Sequence, residues 1–190
     1  MRIKYYLLPE KLLKGGNTCR NYGFKISKGE YINWLDSDDL LSENKIEEQV
    51  KSIEATQSDI ATCMWGNFED DITNLYKFID QPYYSNFNLG IQLLNSFGEK
   101  GGFFPPHVYL VKRSIVDNTG LWDENLKINQ DGEFFTRVLL NSGGVFHAKS
   151  GMVYYRQNIG NDNTSLYTSN KKSEDAILSW ILIDTYLKIY

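Results

Sequence analysis

The sequence predicts an α/β sandwich built on a mixed, mainly parallel sheet. Three observations carry that expectation. In the first third of the chain, short apolar runs alternate with segments whose apolar residues recur at helical spacing. Later strand-like runs lie close together, as hairpins do, which makes the sheet mixed. A crowd of carboxylates follows one apolar run, where open α/β sheets bind their ligands. With 190 residues, no internal repeat and no low-complexity linker, one domain over 1–190 suffices, closed by a helix over 171–190.

Each element has a local reason. Residues 2–8, RIKYYLL, alternate like a strand, and Gly15 and Gly16 mark the loop after it. The segment 18–29 reads as a helix with Cys19, Tyr22 and Ile26 on one face and Gly29 beyond its end. EYINWL, 30–35, is a short apolar strand. Ser42 can cap a helix over 43–56, whose apolar side is Ile46, Val50 and Ile53. Strands follow over 59–68 and 72–79, then a helix over 86–97 despite Gly90. The glycine- and proline-rich stretch 98–106 is a loop, readable as a connector or as a lid. A strand over 107–113 leads into a short helix ending at Gly120. The helix over 131–144 pairs Phe134 with Val138 and Phe135 with Leu139, four residues apart. VFHA and MVYYR read as two strands, and 158–165 as a polar loop.

Composition narrows the function classes. A net charge of −4 with both signs interspersed offers no field for nucleic acid. Cys19 and Cys63 stand far apart in no metal-binding spacing, and read as buried thiols of a reducing compartment. That makes the expected location cytoplasmic and leaves the Asn163–Ser165 glycosylation sequon without meaning. The start carries no leader pattern and no run reaches spanning length. Ala176–Ile183, AILSWILI, reads as a core-packing helix, with peripheral contact at the inner membrane face as the second reading.

The chemistry concentrates in LDSDD. Asp36, Asp38 and Asp39 fall within four positions at the end of the EYINWL run. Alternation along extended chain lets Asp36 and Asp38 converge. Converged carboxylates repel unless a cation joins them. Oxygen-only donors favour Mn²⁺ or Mg²⁺, which keep open positions for phosphate oxygens. A solvated acidic turn feeding a helix N-terminus is the plain alternative. A phosphatase-type nucleophilic aspartate is another, disfavoured by Leu40 where Thr or Val is usual.

At this point the pattern becomes specific. GGNTCRNYGFKISKGEYINWLDSDDLLSENKIEEQV resembles the middle of family 2 glycosyltransferases, which have the GT-A fold. The elements in question are Arg20, Asn21 and Gly23, then Gly29 to Ile32, then Asp36 to Asp39. VKRSIVDNTGLWDENLKINQDGEFFTRVLL resembles that family's acceptor-side segment, and YYRQNIGNDNTS its closing strand and loop. The resemblance implies a GT-A-like three-layer α/β/α sandwich. It also implies inverting, metal-assisted transfer of a sugar from a nucleotide-sugar donor, a UDP-sugar first among them, to a hydroxyl of a glycan or lipid-linked acceptor. Asp36 and Asp38 then stand at the metal-binding DXD motif, with Asp38 the metal ligand, Asp36 facing ribose or metal waters, and Asp39 assisting. Asp131 stands where the family has its general base, preceded by Gln130 where Glu is common. A helix N-cap is the structural alternative for Asp131.

Four further residues enter as substrate-side candidates, each with a structural alternative. Arg20 neutralises phosphate or pairs with an acid such as Glu30. Asn21 braces a loop. Arg156 reaches donor phosphates or makes a salt bridge, and His107 lies on the acceptor side or is simply packed. Trp122 is either a sugar platform or a core anchor, and His147 is a weaker candidate. Two of the family's opening βαβ units, roughly 60 residues, are absent from this sequence. A missing amino-terminal segment or a partner chain would supply them. The chain alone is expected to bind nucleotide weakly or not at all and to leave the 30–35 strand at an exposed edge. A non-catalytic remnant acting as an interaction module is the alternative function.

Overall fold

A computed structural model describes residues 3–157 and 170–190, and the expected 158–165 loop with its sequon lies outside them. In chain order come α1 (Gly16–Ile26), β1 (Tyr31–Ile32), β2 (Leu40–Leu41), α2 (Lys45–Thr56), β3 (Ile60–Phe68), β4 (Tyr76–Lys77), α3 (Gly90–Lys100), β5 (Leu110–Lys112), α4 (Arg113–Thr119), α5 (Gln130–Leu140), β6 (Val145–Arg156) and α6 (Asn170–Ile189). The α/β class holds, and the element types match the expected order with five differences. One is the two-residue β2 just after the acidic turn, where the sequence predicts no strand.

Residues 3–8 form no strand. Ile3, Tyr5 and Leu7 are largely exposed, and no described strand lies beside them, so β-favouring side chains have no partner to order them. The expected strand over 72–79 is a 3₁₀ turn at Ile72–Asn74 followed by the two-residue β4. The one over 107–113 begins as a 3₁₀ turn at Pro106–Val108, because Pro106 withholds an N–H from any ladder. VFHA and MVYYR are one strand, β6, interrupted by a bulge at residues 149–151. Gly151 turns there with φ +96°, and a Cβ on it would stand 2.9 Å from the Lys45 backbone.

The sheet runs β1-β5-β3-β6-β2, with β4 against the end of β3. It is mixed, as expected, and its longest ladder is parallel. Among the described residues only β3 and β6 pair in parallel, along the whole of β3, and the other four pairings are short and antiparallel. β5 is inserted between β1 and β3, antiparallel to both. Strands β1, β3 and β6 still share one direction, so their carboxyl ends open on the same side. β1 is an edge, as expected.

Two apolar clusters make the layers. On one face Ile53 and Val50 of α2 pack on Ala61 and Leu110. On the other, α3, α4 and α5 cover a core rich in rings. Trp34, just beyond β1, meets Trp122, Phe134 and Phe135 edge-on at 5.7, 5.1 and 5.8 Å. Trp122 stacks on Phe134 at 4.2 Å and Tyr109 on Phe135 at 4.0 Å. Each such pair adds about 1 kcal/mol beyond its buried area. Trp122 is therefore the core anchor of its two readings.

Two helix faces differ from expectation. α1 turns Asn17, Thr18 and Asn21 inward and leaves Cys19 exposed, so the buried-thiol reading holds for Cys63 and fails for Cys19. α2 buries Lys45, Gln49 and Ile53 and leaves Ile46 40% exposed. Gln49 explains the rotation, since its amide donates to the carbonyls of Ala61 (2.9 Å) and Val108 (2.8 Å) and so bonds the helix to the strands. No described helix is long and apolar enough to cross a membrane.

Candidate active site

The turn after β1 and the start of α5 meet across one cleft. Trp34 lies two residues before Asp36, and Phe134 lies three after Asp131. The ring contacts between them therefore fix the two aspartates relative to each other. A cleft of about 160 Å³ is lined by Arg20, Asp36, Asn129, Asp131 and Tyr155, with Phe103 and Pro106 of the 101–106 loop on its rim. Arg20 and Asp36 also line a larger cleft of about 490 Å³ that follows α1 and the open edge of β1 past Tyr31, Asn33 and Trp34.

Arg20 pairs with Asp36, its Nη2 donating to Oδ1 at 2.8 Å, and not with Glu30. Its guanidinium lies 4.7 Å from the centre of the Trp122 ring and donates to Asn17 Oδ1 at 3.1 Å. So held, it presents a fixed positive charge between the two clefts. Asp131 sits in the first turn of α5 and is not its N-cap, a position taken by Asn129 in the left-handed region. Burial and the Asp36 charge push the Asp131 carboxyl up, while its own and Gly132's amides and Arg20 oppose them. A raised carboxylate near a reacting hydroxyl suits proton acceptance.

Asp36 and Asp38 differ in exposure. Asp36 is half-buried at the cleft and Asp38 is exposed. Among the described residues, no three His, Cys, Asp or Glu side chains converge as a closed metal cage. The donor set fits a metal only as an open site: one or two carboxylates, with waters and phosphate oxygens completing the shell, as Mg²⁺-type ions prefer.

The remaining candidates are placed as braces. Asn21 donates to the Trp122 carbonyl and to Glu124 Oε1, both at 2.9 Å, and accepts from the Trp122 amide at 2.9 Å. Asp39 faces inward, where Oδ1 accepts the Arg156 amide at 2.8 Å. Burial pushes its carboxyl up to about 7. Its Oδ2 lies 3.3 Å from Nδ1 of the fully buried His107. That contact is no ion pair near neutrality, because burial pushes His107 down to about 3, and the two atoms lack hydrogen-bond geometry. Arg156 donates to the carbonyls of Asp38 (3.0 Å) and Glu69 (2.7 Å) and lies over Phe68, so it holds the acidic turn. Thus Arg20, Asp36 and Asp131 converge on the cleft. Asn21, Asp39 and His107 face away from it and support it.

Sequence reasoning missed Tyr155. It lines the cleft, stacks on His107 at 6.0 Å, and is pushed up by burial and then by the charges of Asp39, Asp131, Asp38 and Asp36. Its signals were its place one residue before Arg156 and its membership of the YYRQ segment that resembles the family's closing strand. Lys45 was also missed. It is fully buried, lowered to about 8 by burial, and its charge acts on Cys63 and His107 behind the turn.

Known proteins resemble this chain in sequence and in fold. Residues 1–120 match Glycosyl transferase family 2. An uncharacterized glycosyltransferase of Rickettsia bellii is 28% identical over 98% of this chain and 25% of its own. One from Rickettsia typhi is 30% identical over 70% of this chain and 41% of its own. Glycosyltransferase GlyG of Streptococcus pneumoniae is 24% identical over 77% of this chain and 50% of its own. The chain thus spans a quarter to a half of the length of these relatives. Residues 1–349 of S. aureus TarS, solved in complex with UDP-GlcNAc, superpose with a TM-score of 0.67 at 17% identity, over 88% of this chain and 46% of that fragment. That likeness extends the three-layer description to the GT-A type of fold. The chain belongs to glycosyl transferase family 2.

Proposed function

We propose that this chain carries the acceptor-activating and diphosphate-facing parts of an inverting glycosyltransferase. The substrates are a nucleotide-sugar, in the first place a UDP-sugar, and a hydroxyl of a glycan or lipid-linked acceptor. One observation carries the reading: Asp131 and the Arg20–Asp36 pair, whose members lie 111 and 95 residues before it in sequence, line one cleft. TarS crystallised with UDP-GlcNAc and with UDP supports the donor class.

Asp36 and Asp38 would hold Mn²⁺ or Mg²⁺ with the donor diphosphate completing the shell, and the cation would supply charge stabilisation to the leaving group. Arg20 places positive charge beside the same phosphates. Asp131 accepts the proton of the acceptor hydroxyl as it attacks the anomeric carbon from the face opposite the diphosphate, which gives inversion. Tyr155 closes the cleft between the two acids and keeps water from the reacting carbon. No observation favours the interaction-module alternative.

Asp131→Asn and Asp38→Asn test these roles separately. In a polypeptide that turns over donor, Asp131→Asn is expected to abolish transfer and retain UDP binding, both read on one preparation. Asp38→Asn is expected to abolish the Mn²⁺-dependent part of UDP binding by calorimetric titration. Unchanged turnover in the first would remove the base. Nucleotide binding indifferent to Mn²⁺ and EDTA would remove the metal.

A further inference from the structure

A third cleft continues the site beyond Asp131. Its volume is about 380 Å³, and its walls come from three helices: Leu94 and Phe97 of α3, Phe135 and Leu139 of α5, and Ile183 and Leu187 of α6. Trp180 stands at its side. It shares Phe103, Asn129 and Asp131 with the 160 Å³ cleft, and nothing with the cleft along β1. The three form a path: the open edge of β1, then Arg20 and Asp36, then Asp131, then this groove. The groove therefore reaches Asp131 from the side away from the acidic turn.

Asn129, Asp131 and Thr136, with the Tyr109 hydroxyl and the Trp180 indole N–H, are its polar side-chain groups, and they stand among ring and aliphatic side chains from all three helices. Such a surface gains from covering by hydrocarbon and gives a sugar few partners. α6 carries the same character outward. Ile177, Trp180 and Ile181 are 60, 59 and 56% exposed, so the apolar surface continues past the groove onto the outside of the helix. Over residues 177–181 the helix is apolar on its outward side as well as toward the groove, which suits an apolar medium. Asp184 and Lys188 pair with each other on the exposed surface beyond. A polypeptide segment seated in the groove would cover Asp131 from its acceptor, whereas a chain attached to that acceptor would not.

We propose that this groove holds the aliphatic chain of a lipid-linked acceptor, with the acceptor hydroxyl at Asp131 and the remainder of the chain passing along α6 to a bilayer surface. The proposal rests on the transferase reading and chooses the lipid-linked acceptor within it. Leu187 and Trp180 are then the specificity-determining contacts for the chain.

The test uses n-alkyl β-glucosides from hexyl to nonyl, each below its micellar concentration. Trp180 reports, since Trp34, Trp65 and Trp122 are buried at 7, 3 and 3% exposure. A blue shift of emission is expected, with affinity rising about fourfold per added methylene, the factor that about 0.8 kcal/mol per CH₂ sets. Leu187→Glu, at a partly exposed position, is expected to weaken nonyl glucoside roughly tenfold or more without changing the circular dichroism spectrum. Affinity that is flat along the series, or equal in Leu187→Glu, overturns the proposal. UDP uptake, measured with the same glucosides on the donor-turning polypeptide of the Asp131 test, separates the two readings. Flat alkyl affinity beside intact UDP uptake removes the groove alone. Chain-length dependence without UDP uptake removes the donor assignment and upholds the groove.

Discussion

At the scale of single residues, the support of the site is mostly polar and buried. Asn17 and Asn21, one turn apart on α1, bond the backbone of 122–126. Asn17 Nδ2 donates to the carbonyls of Asp123 (2.7 Å) and Leu126 (3.2 Å), and Asn21 uses both ends of its amide. Asn21→Ala would leave a buried N–H and carbonyl at Trp122 unpaired, so a loss of about 1–3 kcal/mol is expected in urea unfolding. Asn21→Asp is expected to be no better, since it sets a second acid against Glu124 Oε1. A loss below about 0.5 kcal/mol in both would mean that water replaces the bonds. Periodicity of apolar residues chose Cys19, Tyr22 and Ile26 as the inner face of α1. It failed because the groups that α1 must satisfy are carbonyls and amides, and apolar residues cannot bond them.

At the scale of elements, helices were legible where a buried face is apolar, and strands where a partner exists. α5 shows the first, with Phe134, Phe135, Val138 and Leu139 all buried. Residues 3–8 show the second by failing, because alternation in sequence says nothing about the neighbour that would complete a ladder. Gly90 lies between these cases. Its place at the head of a helix looked like a tolerated weakness, but it is where α3 crosses the end of α5. A Cβ there would lie 2.1 Å from the Leu139 carbonyl oxygen and 2.2 Å from Ser142 Oγ. Gly90→Ala should therefore lower the melting temperature, with overpacking of about 1–3 kcal/mol outweighing the helix gain of about 1 kcal/mol. Gly98→Ala in the same helix meets nothing within 4 Å and should raise stability by up to about 1 kcal/mol. Equal shifts of the same sign in the two variants would show that α3 is free to move away from α5.

At the scale of the whole molecule, the site is an encounter of three remote segments, and no local pattern announces an encounter. The acidic turn was legible as chemistry, and Asp131 only through family resemblance. Tyr155 and the groove beside α6 became visible when the sheet set β6 parallel to β3. That central ladder also carries a testable charge. His147 lies opposite Thr62 in it, stacks on Tyr84 at 4.7 Å, and places Nδ1 3.2 Å from Thr62 Oγ1. Burial first, then Lys149, pushes its imidazole down to about 4 from 6.5. The unfolded chain thus binds more protons than the native one between those values, and stability must rise with pH across that window and be lost as pH falls through it. At about 1.36 kcal/mol per pH unit the contribution reaches about 3 kcal/mol. Asp39, raised to about 7, acts in the opposite sense over much of the same range, and His107, lowered to about 3, in the same sense. Wild-type stability alone would therefore mix all three. His147→Gln shares the other two groups with the wild type, so the difference between the two urea stabilities isolates the imidazole. That difference should shrink as pH drops from 7 to 4.5, as the wild type loses what the variant never had. A difference that stays constant with pH would mean that His147 titrates alike in the folded and unfolded chain, and that the ladder around it admits water.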